Sequence, residues 1–499
     1  MKKSLSTWRI QIIFIAVIFV ALTLISRLYF LQIIHGGEYS DRAQRQYVRP
    51  NQEILDRGSI YFTNKDGTTL SAATMKTGFV LSIDPRKIES PEEVFRILSG
   101  IIPIEADIFY AKAAKKDDPY EEISKHLDQT VADKIDTLKL PGVTLTKEKW
   151  RYYPSGYLAS NVLGFIGHND ADDNLSGRYG LERYYEDVLA RSENNLYINF
   201  FAEIFSDIKK SVINGERQEG EIVTTIEPSV QMYIEKLLVK LNKEYHPSVA
   251  GAIIMNPKNG DIYAMASTPT FNPNDFSTVK DTKVFVNPLV NNVYEMGSII
   301  KPLTMAAGID TGLITAKTTY DDKGFIILNG SRINNFDGKG RGITDMQQVL
   351  NQSLNTGASF VVHTIGSDVF TEYMNAYGVG QETGIDLPNE AHNLVGNLKS
   401  TRELEHATAS FGQGIALTPV STIRALASLS NGGVLVTPHI VKKINYRIGF
   451  VSEPFSGEEY PRVLKQESAD EITRMLVSVV DNGLLNGSLK MEHFSVAAK

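Results

Sequence analysis

A short string near the middle of the chain fixes where one helix must begin. It runs from Gly297 to Pro302 as Gly-Ser-Ile-Ile-Lys-Pro and is followed by the apolar run from Leu303 to Ala307. Glycine adopts backbone angles that a side chain forbids, so it suits a sharp entry into a helix. Proline is tolerated near a helix start, where main-chain N–H groups lack intrahelical partners, whereas deeper in a helix it would cost about 3 kcal/mol. The string therefore predicts a helix that begins near Ser298.

The same string places a hydroxyl and an amine on one helix face. Lys301 stands three residues after Ser298, so its amine can reach the serine hydroxyl and take its proton during attack on a carbonyl. A lysine base must be neutral, and helix N-terminal amides, burial or a second cation can bring its pKa towards roughly 7–8. The alternative is an incidental pair, because Ser-x-x-Lys also occurs at 206–209 and 277–280, without the preceding glycine or the long apolar helix.

Composition excludes several classes of function. The chain has 499 residues, a formal net charge of −7 and no cysteine. The acidic balance argues against nucleic acid as the main partner, since nucleic acid favours a basic surface. The lack of cysteine excludes disulfides, thiolate zinc sites and a cysteine nucleophile, and the nine histidines show no ligand spacing. We expect no metal and no cofactor.

An apolar segment near the N-terminus predicts a membrane anchor. Residues 10–25 contain only two polar side chains and follow a tail with three basic residues. A cleavable signal peptide is the alternative, but it usually ends in a small-x-small site, whereas Arg27 and large apolar residues follow here. Basic residues before the segment set the N-terminus in the cytoplasm. We expect a cytoplasmic tail at 1–9, a single anchor at 10–34 in the cell membrane, and the remainder outside.

The rest of the chain divides into two parts. Residues 35–215 alternate β-rich runs with charged, helix-like stretches and lack a nucleophile context, a phosphate loop or a repeat, which is typical of a scaffold. Residues 220–499 open with an alternating strand at 221–226 and an amphipathic stretch at 229–245. Two apolar runs around an Asn-Pro-Lys-Asn-Gly-Asp turn then predict a hairpin. The order of elements indicates an α+β fold, with one antiparallel sheet and a helical insert.

Further strings in the second part are weak signals by themselves. Ser353-Leu354-Asn355 interrupts an apolar pattern with small polar residues, which favour turns over helix interiors. An ordinary turn between two helices is the alternative to a functional role. Phe411–Ile415 is a glycine-rich bend, and the apolar segment His493–Lys499 predicts a final strand.

Together these strings resemble the motif set of penicillin-binding proteins and serine β-lactamases. The set comprises Ser298-Ile-Ile-Lys301, Ser353-Leu-Asn355 and Lys499, where a Lys-Thr-Gly motif would begin. The likeness covers roughly residues 9 to 499 and is to the monofunctional, class B penicillin-binding proteins. It includes the strings that begin at Arg57, Arg151, Gly180, Tyr294, Thr383 and Phe411.

The resemblance implies the architecture and activity of that family. A pedestal or dimerisation domain follows the anchor, and a transpeptidase domain comes next, with an antiparallel sheet, helices on both of its faces and a helical subdomain. This second domain is a serine-type D,D-transpeptidase, an acyltransferase that cross-links peptidoglycan stem peptides and is inhibited by penicillin. Its implied partners are stem peptides, β-lactams, the membrane and other cell-wall proteins such as a polymerase glycosyltransferase.

The resemblance also assigns roles to five residues. Ser298 would attack the penultimate D-alanine carbonyl, and Lys301 would take its proton. Ser353 would relay a proton to the leaving amine, and Asn355 would hold the substrate amide. Lys499 would bridge to Ser353 and hold positive potential over the site. The Ser298 backbone N–H would supply half of the oxyanion hole.

Two departures from the family pattern stand out. Met296 occupies a position where the family usually has proline, which changes the approach to the turn but removes no reactive group. The chain stops at Lys499, so we expect a truncation within the third motif that lacks one oxyanion donor and is inactive as it stands. The asparagine of the second motif and the Phe411–Ile415 string are more similar to the septal, cell-division type than to the elongation type.

Two alternatives stay open. A serine β-lactamase or β-lactam sensor would use the same serine and lysine, although the long pedestal argues against the lactamase. A catalytically idle scaffold of a division complex would be anchored by its membrane segment and would recruit partners through the pedestal. Labelling with a fluorescent penicillin separates the three, because a transpeptidase labels stably, a lactamase turns over rapidly and an idle scaffold does not label.

Overall fold

The computed structural model describes residues 56–168, 175–191, 219–447 and 449–499, together with five helical residues between 19 and 27. The chain forms two compact units, Met1–Ile54 and Leu55–Lys499. The predicted tail and anchor lie almost wholly outside the described residues, so both stay predictions. In the described part of the chain, helices that combine the length and the apolarity needed to cross a bilayer are absent.

The larger unit mixes strands and helices along its whole length. Its strands are β1 (Ile60–Thr63), β2 (Thr69–Ile83), β3 (Glu121–Leu127), β4 (Val143–Tyr152), β5 (Ile166–His168), β6 (Leu175–Gly177), β7 (Gly220–Thr224), β8 (Ala250–Met255), β9 (Ile262–Thr268), β10 (Thr319–Asp322), β11 (Phe325–Leu328), β12 (Ser331–Asn334), β13 (Gly342–Asp345), β14 (Val441–Tyr446) and β15 (Val451–Ser452). Its helices are α1 (Pro91–Ser99), α2 (Ala106–Ala113), α3 (Gln129–Thr137), α4 (Ser160–Leu163), α5 (Gly180–Tyr184), α6 (Glu186–Leu189), α7 (Pro228–Tyr245), α8 (Pro288–Asn291), α9 (Lys301–Asp310), α10 (Met346–Asn351), α11 (Asn355–Ile365), α12 (Ser367–Ala376), α13 (Glu403–Ala409), α14 (Pro419–Ser430) and α15 (Gln466–Ser478). The predicted α+β class is confirmed.

A seven-stranded sheet joins the two halves of the chain. Its order is β15-β14-β7-β1-β2-β3, and β4 also pairs with β2. The neighbours are antiparallel except for β1 and β7, which run parallel. The strand predicted at 221–226 is therefore present as β7, but it pairs with β1 of the first half and β14 of the second half rather than with the hairpin β8–β9. Strand pairing depends on partners distant in the chain, which an alternating pattern does not specify.

The strands of residues 220–499 do not form the single antiparallel sheet that the sequence predicts. Among the described residues, the hairpin β8–β9 forms as predicted and stands as a separate two-stranded sheet. The final strand predicted at His493–Lys499 is wrong, because these residues are irregular and the ladders of the described chain do not include them. A main-chain bond from Ala498 N–H to the Leu476 carbonyl, at 3.4 Å, holds this segment to α15. An extended run becomes a strand only where a neighbouring strand takes up its N–H and C=O groups.

The hydrophobic cores show how the halves fit together. One core spans both, since Ile60 and Phe62 of β1 are buried in the same cluster as Ile262 and Met265 of β9. A second core is helical and surrounds α9 with side chains of α10, α11, α12, α14 and α15. This cluster consists mainly of side chains from these helices. It buries nine of the ten residues of α9, which holds the start of that helix in place.

A buried ion cluster fixes the first half of the chain. The Glu182 carboxylate is fully buried and accepts hydrogen bonds at 2.6 Å from both Arg57 Nε and Arg151 Nε. The hydroxyl of Tyr153 donates to the same carboxylate at 3.2 Å. Burial alone would raise the pKa of Glu182, but the two guanidinium groups lower it below its usual value. The cluster ties β4 and the residues before β1 to α5.

Removing the charge of this cluster should destabilise the protein. In Glu182→Gln the buried Arg151 guanidinium loses its counter-ion and Arg57 keeps only Glu186, and a broken buried pair typically costs about 3–5 kcal/mol. Urea unfolding followed by tryptophan fluorescence measures the change, because Trp150 neighbours Arg151 in β4. Asp136→Asn is the control, since its partner Lys139 and its own side chain are mostly exposed, so little change is expected. Equal stability of the two variants would contradict the prediction.

Candidate active site

Ser298 lies in the turn that leads into α9. Residues Gly297–Ile300 form a 3₁₀ turn, and α9 follows with Lys301 as its first residue and Pro302 in its first turn. Gly297 has a φ of +60°, in the left-handed region that side chains disfavour. The helix start predicted near Ser298 is confirmed.

The Lys301 amine is buried and contacts both predicted serines. The residue is only 1% exposed. Its Nζ atom donates to Ser298 Oγ at 3.0 Å, to Ser353 Oγ at 3.1 Å and to the Ser353 carbonyl at 2.6 Å. One amine thus joins the first and second motifs.

Burial also changes the protonation of this amine. Removing an ammonium from water disfavours its charged form, and the positive charge of Lys499 adds repulsion; together they lower the pKa of Lys301 to about 7. A large fraction of the amine is then neutral near neutral pH. A neutral amine has a free lone pair, so it can accept the proton of the Ser298 hydroxyl 3.0 Å away. The arrangement is that of a general base beside a serine nucleophile.

Ser353 lies in a tight turn between α10 and α11, as the sequence predicts. Its φ is +56°, and the following N–H, that of Leu354, donates to the Val349 carbonyl at 3.0 Å. A non-glycine residue in the left-handed region is uncommon and costs conformational energy. In this conformation both the hydroxyl and the carbonyl of Ser353 contact Lys301.

Asn355 and Lys499 occupy the edges of this cluster. Asn355 is the first residue of α11, and its Nδ2 donates to the Asn334 carbonyl at 2.9 Å. Lys499 is half-buried, which lowers its own pKa, and its charge contributes to the low pKa of Lys301. The predicted bridge from Lys499 to Ser353 is not formed within the described chain, where the Ser353 hydroxyl is instead bonded to Lys301.

The turn that contains Ser298 is hydrogen-bonded to residues 410–417. Gly297 N–H donates to the Gly412 carbonyl at 3.1 Å, and Tyr294 and Leu417 exchange two main-chain bonds of 2.9 Å each. This pairing resembles a short antiparallel ladder. It fixes the entry to α9 from a segment more than a hundred residues away in the chain.

The sequence analysis noted the strings that contain Glu295 and Gly412 but did not predict the contact between them. Glu295 accepts a hydrogen bond from Gly414 N–H at 2.8 Å. Gly412 has a φ of +78°, and a Cβ atom there would lie 2.3 Å from the Gly297 carbonyl oxygen. The pair of glycines in the Phe411–Ile415 bend was the available signal, because spaced glycines often mark a close backbone approach.

The other Ser-x-x-Lys strings do not form comparable sites where they are described. Ser277 is exposed within the 3₁₀ segment Pro273–Thr278. Ser206 lies outside the described residues. Within the described ranges, groups of three or more histidines and carboxylates with the spacing of a metal site are absent.

A serine nucleophile with a lysine base, on a mixed α+β fold, defines an acyltransferase-type site, and comparison with known proteins gives its family. Residues 250–499 match the family described as "Penicillin binding protein transpeptidase domain". Residues 55–224 match that described as "Penicillin-binding Protein dimerisation domain". The chain belongs to the penicillin-binding protein transpeptidase family.

Similar proteins extend over most of the chain. Stage V sporulation protein D of Bacillus subtilis is 29% identical, over 97% of this chain and 74% of its own length. Peptidoglycan D,D-transpeptidase MrdA of Acinetobacter baumannii is 29% identical, over 85% of this chain and 68% of its own. A crystal structure of Penicillin Binding Protein 2X from Streptococcus thermophilus has a TM-score of 0.68 at 23% identity. The matched region covers 88% of this chain and 67% of the chain in that structure. This last likeness shows a shared fold.

The rate of acylation by a fluorescent penicillin should follow the protonation of Lys301. Because the base must be neutral, the rate is expected to rise with pH through about 7 and to level off above it. Lys499→Gln removes a positive charge that lowers the pKa of Lys301. In this variant the labelling rate should therefore rise at a higher pH than in the unaltered chain. Initial labelling rates from about pH 6 to pH 9 measure both effects. A flat profile, or an unchanged midpoint in Lys499→Gln, would contradict this account of the base.

Proposed function

We propose that this chain is a serine D,D-transpeptidase that cross-links peptidoglycan stem peptides through an acyl-enzyme. The observation that carries the proposal is the position of the Lys301 amine, 3.0 Å from Ser298 Oγ and 3.1 Å from Ser353 Oγ. The family membership and the relatives named as peptidoglycan D,D-transpeptidases support it.

In the first step Ser298 Oγ attacks the carbonyl of the penultimate D-alanine. The neutral Lys301 amine takes the hydroxyl proton as the new C–O bond forms. The Ser298 N–H lies in the first turn, where such groups lack intrahelical acceptors, so it can stabilise the oxyanion. The C–N bond then breaks, and the leaving D-alanine amine takes a proton relayed from Lys301 through the Ser353 hydroxyl.

In the second step an amine from a neighbouring stem peptide attacks the acyl-enzyme. Its nitrogen forms the new amide bond, its proton passes to the cluster of Lys301 and Ser353, and Ser298 Oγ leaves with a proton. The reaction needs no redox partner, because one amide bond replaces another. Asn355 would hold the substrate amide beside this cluster. Lys499 would supply positive potential for the substrate carboxylate.

Labelling tests the proposed nucleophile directly. The unaltered chain and its variants are all compared in a form extended through the Lys-Thr-Gly motif, because the 499-residue chain is expected to be inactive. Ser298→Ala should abolish covalent labelling by a fluorescent penicillin, because it removes the hydroxyl oxygen that forms the acyl bond in the proposed mechanism. Lys301→Ala should lower the labelling rate by about 10²–10⁴, the usual contribution of a general base. Denaturing gel electrophoresis after timed incubation measures the bound label.

Ser277→Ala is the matched control, since it has the same Ser-x-x-Lys spacing but an exposed position. Loss of labelling in Ser277→Ala, with labelling retained in Ser298→Ala, would overturn the site. Label that appears and is then rapidly hydrolysed would favour a β-lactamase. Failure of the unaltered chain to label would favour an idle scaffold.

We further propose that the chain works at the division septum, anchored by residues 10–34 with its N-terminus in the cytoplasm. The basic tail before the apolar run supports this orientation. Asn355 in the second motif and the Phe411–Ile415 string support the septal type. Protein partners at the septum would include a polymerase glycosyltransferase, because cross-linking needs newly made glycan strands.

A fluorescent protein fused to the N-terminus tests both parts of this proposal. The fusion should form a ring at midcell, at the membrane, and its fluorescent part should resist protease added outside the cells. Diffuse cytoplasmic fluorescence would contradict the anchor. A membrane signal spread along the lateral wall, without enrichment at midcell, would contradict the septal role.

A further inference from the structure

Asp322 is a buried carboxylate close to the second motif. It ends β10 and is 1% exposed. Among the described residues it has no cationic side chain within ion-pair distance, since the nearby Arg341 guanidinium pairs with Asp337 instead. Burying a carboxylate is unfavourable unless hydrogen bonds replace its water shell. The chain must therefore supply those bonds itself.

Four neutral groups supply them. The first oxygen of Asp322 accepts from Gly324 N–H at 2.9 Å and from Thr356 Oγ1 at 2.9 Å. The second accepts from Arg341 N–H at 3.1 Å, and Asn335 Nδ2 lies within 3.1 Å of both oxygens. The carboxylate therefore binds groups from three segments: the β10–β11 turn, the β12–β13 loop and the start of α11.

These bonds lead to the start of α11. The residue at its N-cap is Leu354, whose apolar side chain cannot accept a hydrogen bond from the first N–H groups of the helix. The missing cap comes from another part of the chain, because Asn335 Oδ1 accepts from Thr356 N–H at 3.2 Å. Asp322 in turn holds the Asn335 amide, which orients that oxygen toward the helix. Asp322 and Asn335 act as a remote cap for α11.

The capped residues adjoin the proposed site. Thr356 directly follows Asn355, whose own side chain donates to the Asn334 carbonyl, the neighbour of Asn335. A shift of α11 would therefore move Asn355 and the turn that holds the Ser353 hydroxyl.

We propose that Asp322 is a positioning residue, which holds Ser353 and Asn355 in place through Asn335 and Thr356. The inference rests on the proposed transpeptidase function. It adds to that function a residue that does not touch the substrate and acts on it only through the second motif.

Asp322→Asn tests the inference without a change of volume. In either orientation its NH₂ group faces a main-chain N–H, that of Gly324 or that of Arg341, so the hydrogen bonds that hold Asn335 are expected to weaken. Labelling by fluorescent penicillin should slow about 100-fold, as expected when a reacting group moves by about 1 Å. Asp321→Asn is the matched control, because the Asp321 side chain is 55% exposed, and it should label like the unaltered chain.

A double variant separates positioning from a merely structural role. If Asp322 acts through the second motif, adding Asp322→Asn to Asn355→Ala should slow labelling little further, within about twofold of Asn355→Ala alone. Losses that multiply in the double variant would overturn the inference, as would unchanged labelling of Asp322→Asn. If Asp322→Asn does not fold, as judged by circular dichroism, Thr356→Val decides instead. Thr356→Val removes one hydrogen-bond donor to Asp322. Adding it to Asn355→Ala should likewise slow labelling little beyond the rate of Asn355→Ala alone.

The outcome distinguishes this inference from the proposed function. If the unaltered chain does not label, the proposed function fails. If the unaltered chain labels and Asp322→Asn labels at its rate, or Thr356→Val does so where Asp322→Asn does not fold, only the positioning role fails.

Discussion

The proposed chemistry of this protein depends on keeping the Lys301 amine out of water. Lys301 is buried, and its Nζ atom has three oxygen neighbours, the hydroxyls of Ser298 and Ser353 and the Ser353 carbonyl. A neutral amine has two N–H donors and one lone pair, which matches these three partners if the Ser298 hydroxyl donates. Burial and the charge of Lys499 favour that neutral form. The same environment that favours the neutral amine thus holds it within 3.0 Å of the Ser298 hydroxyl, the proposed nucleophile.

Keeping this environment intact requires rigid surroundings, because a loosened site would admit water and restore the ammonium. The helical core buries almost all of α9. Residues 410–417 fix the turn before it, and the hydrogen bonds of Asp322 and Asn335 fix the helix that follows Ser353. Each of these supports reaches the site from a different part of the chain. The site is therefore a property of the packed domain rather than of any one motif.

Local signals predicted much of the site. The glycine before Ser298 and the proline after Lys301 specified the helix start, because both act through their own backbone angles. The small polar residues at 353 and 355 specified a turn for the same kind of local reason. The glycine-marked hairpin between β8 and β9 likewise formed where its turn residues predicted it.

The amino-acid sequence by itself determined where helices and turns begin and which two side chains, those of Ser298 and Lys301, share a face. Tertiary structure alone decided what surrounds them. Asp322 lies 34 residues from Thr356, and Glu295 lies 119 residues from Gly414, so no local pattern could pair them. The strand partner of β7 and the irregular course of His493–Lys499 were settled in the same way. Backbone preferences act within a few residues, whereas hydrogen-bond partners and burial depend on which distant segments pack together.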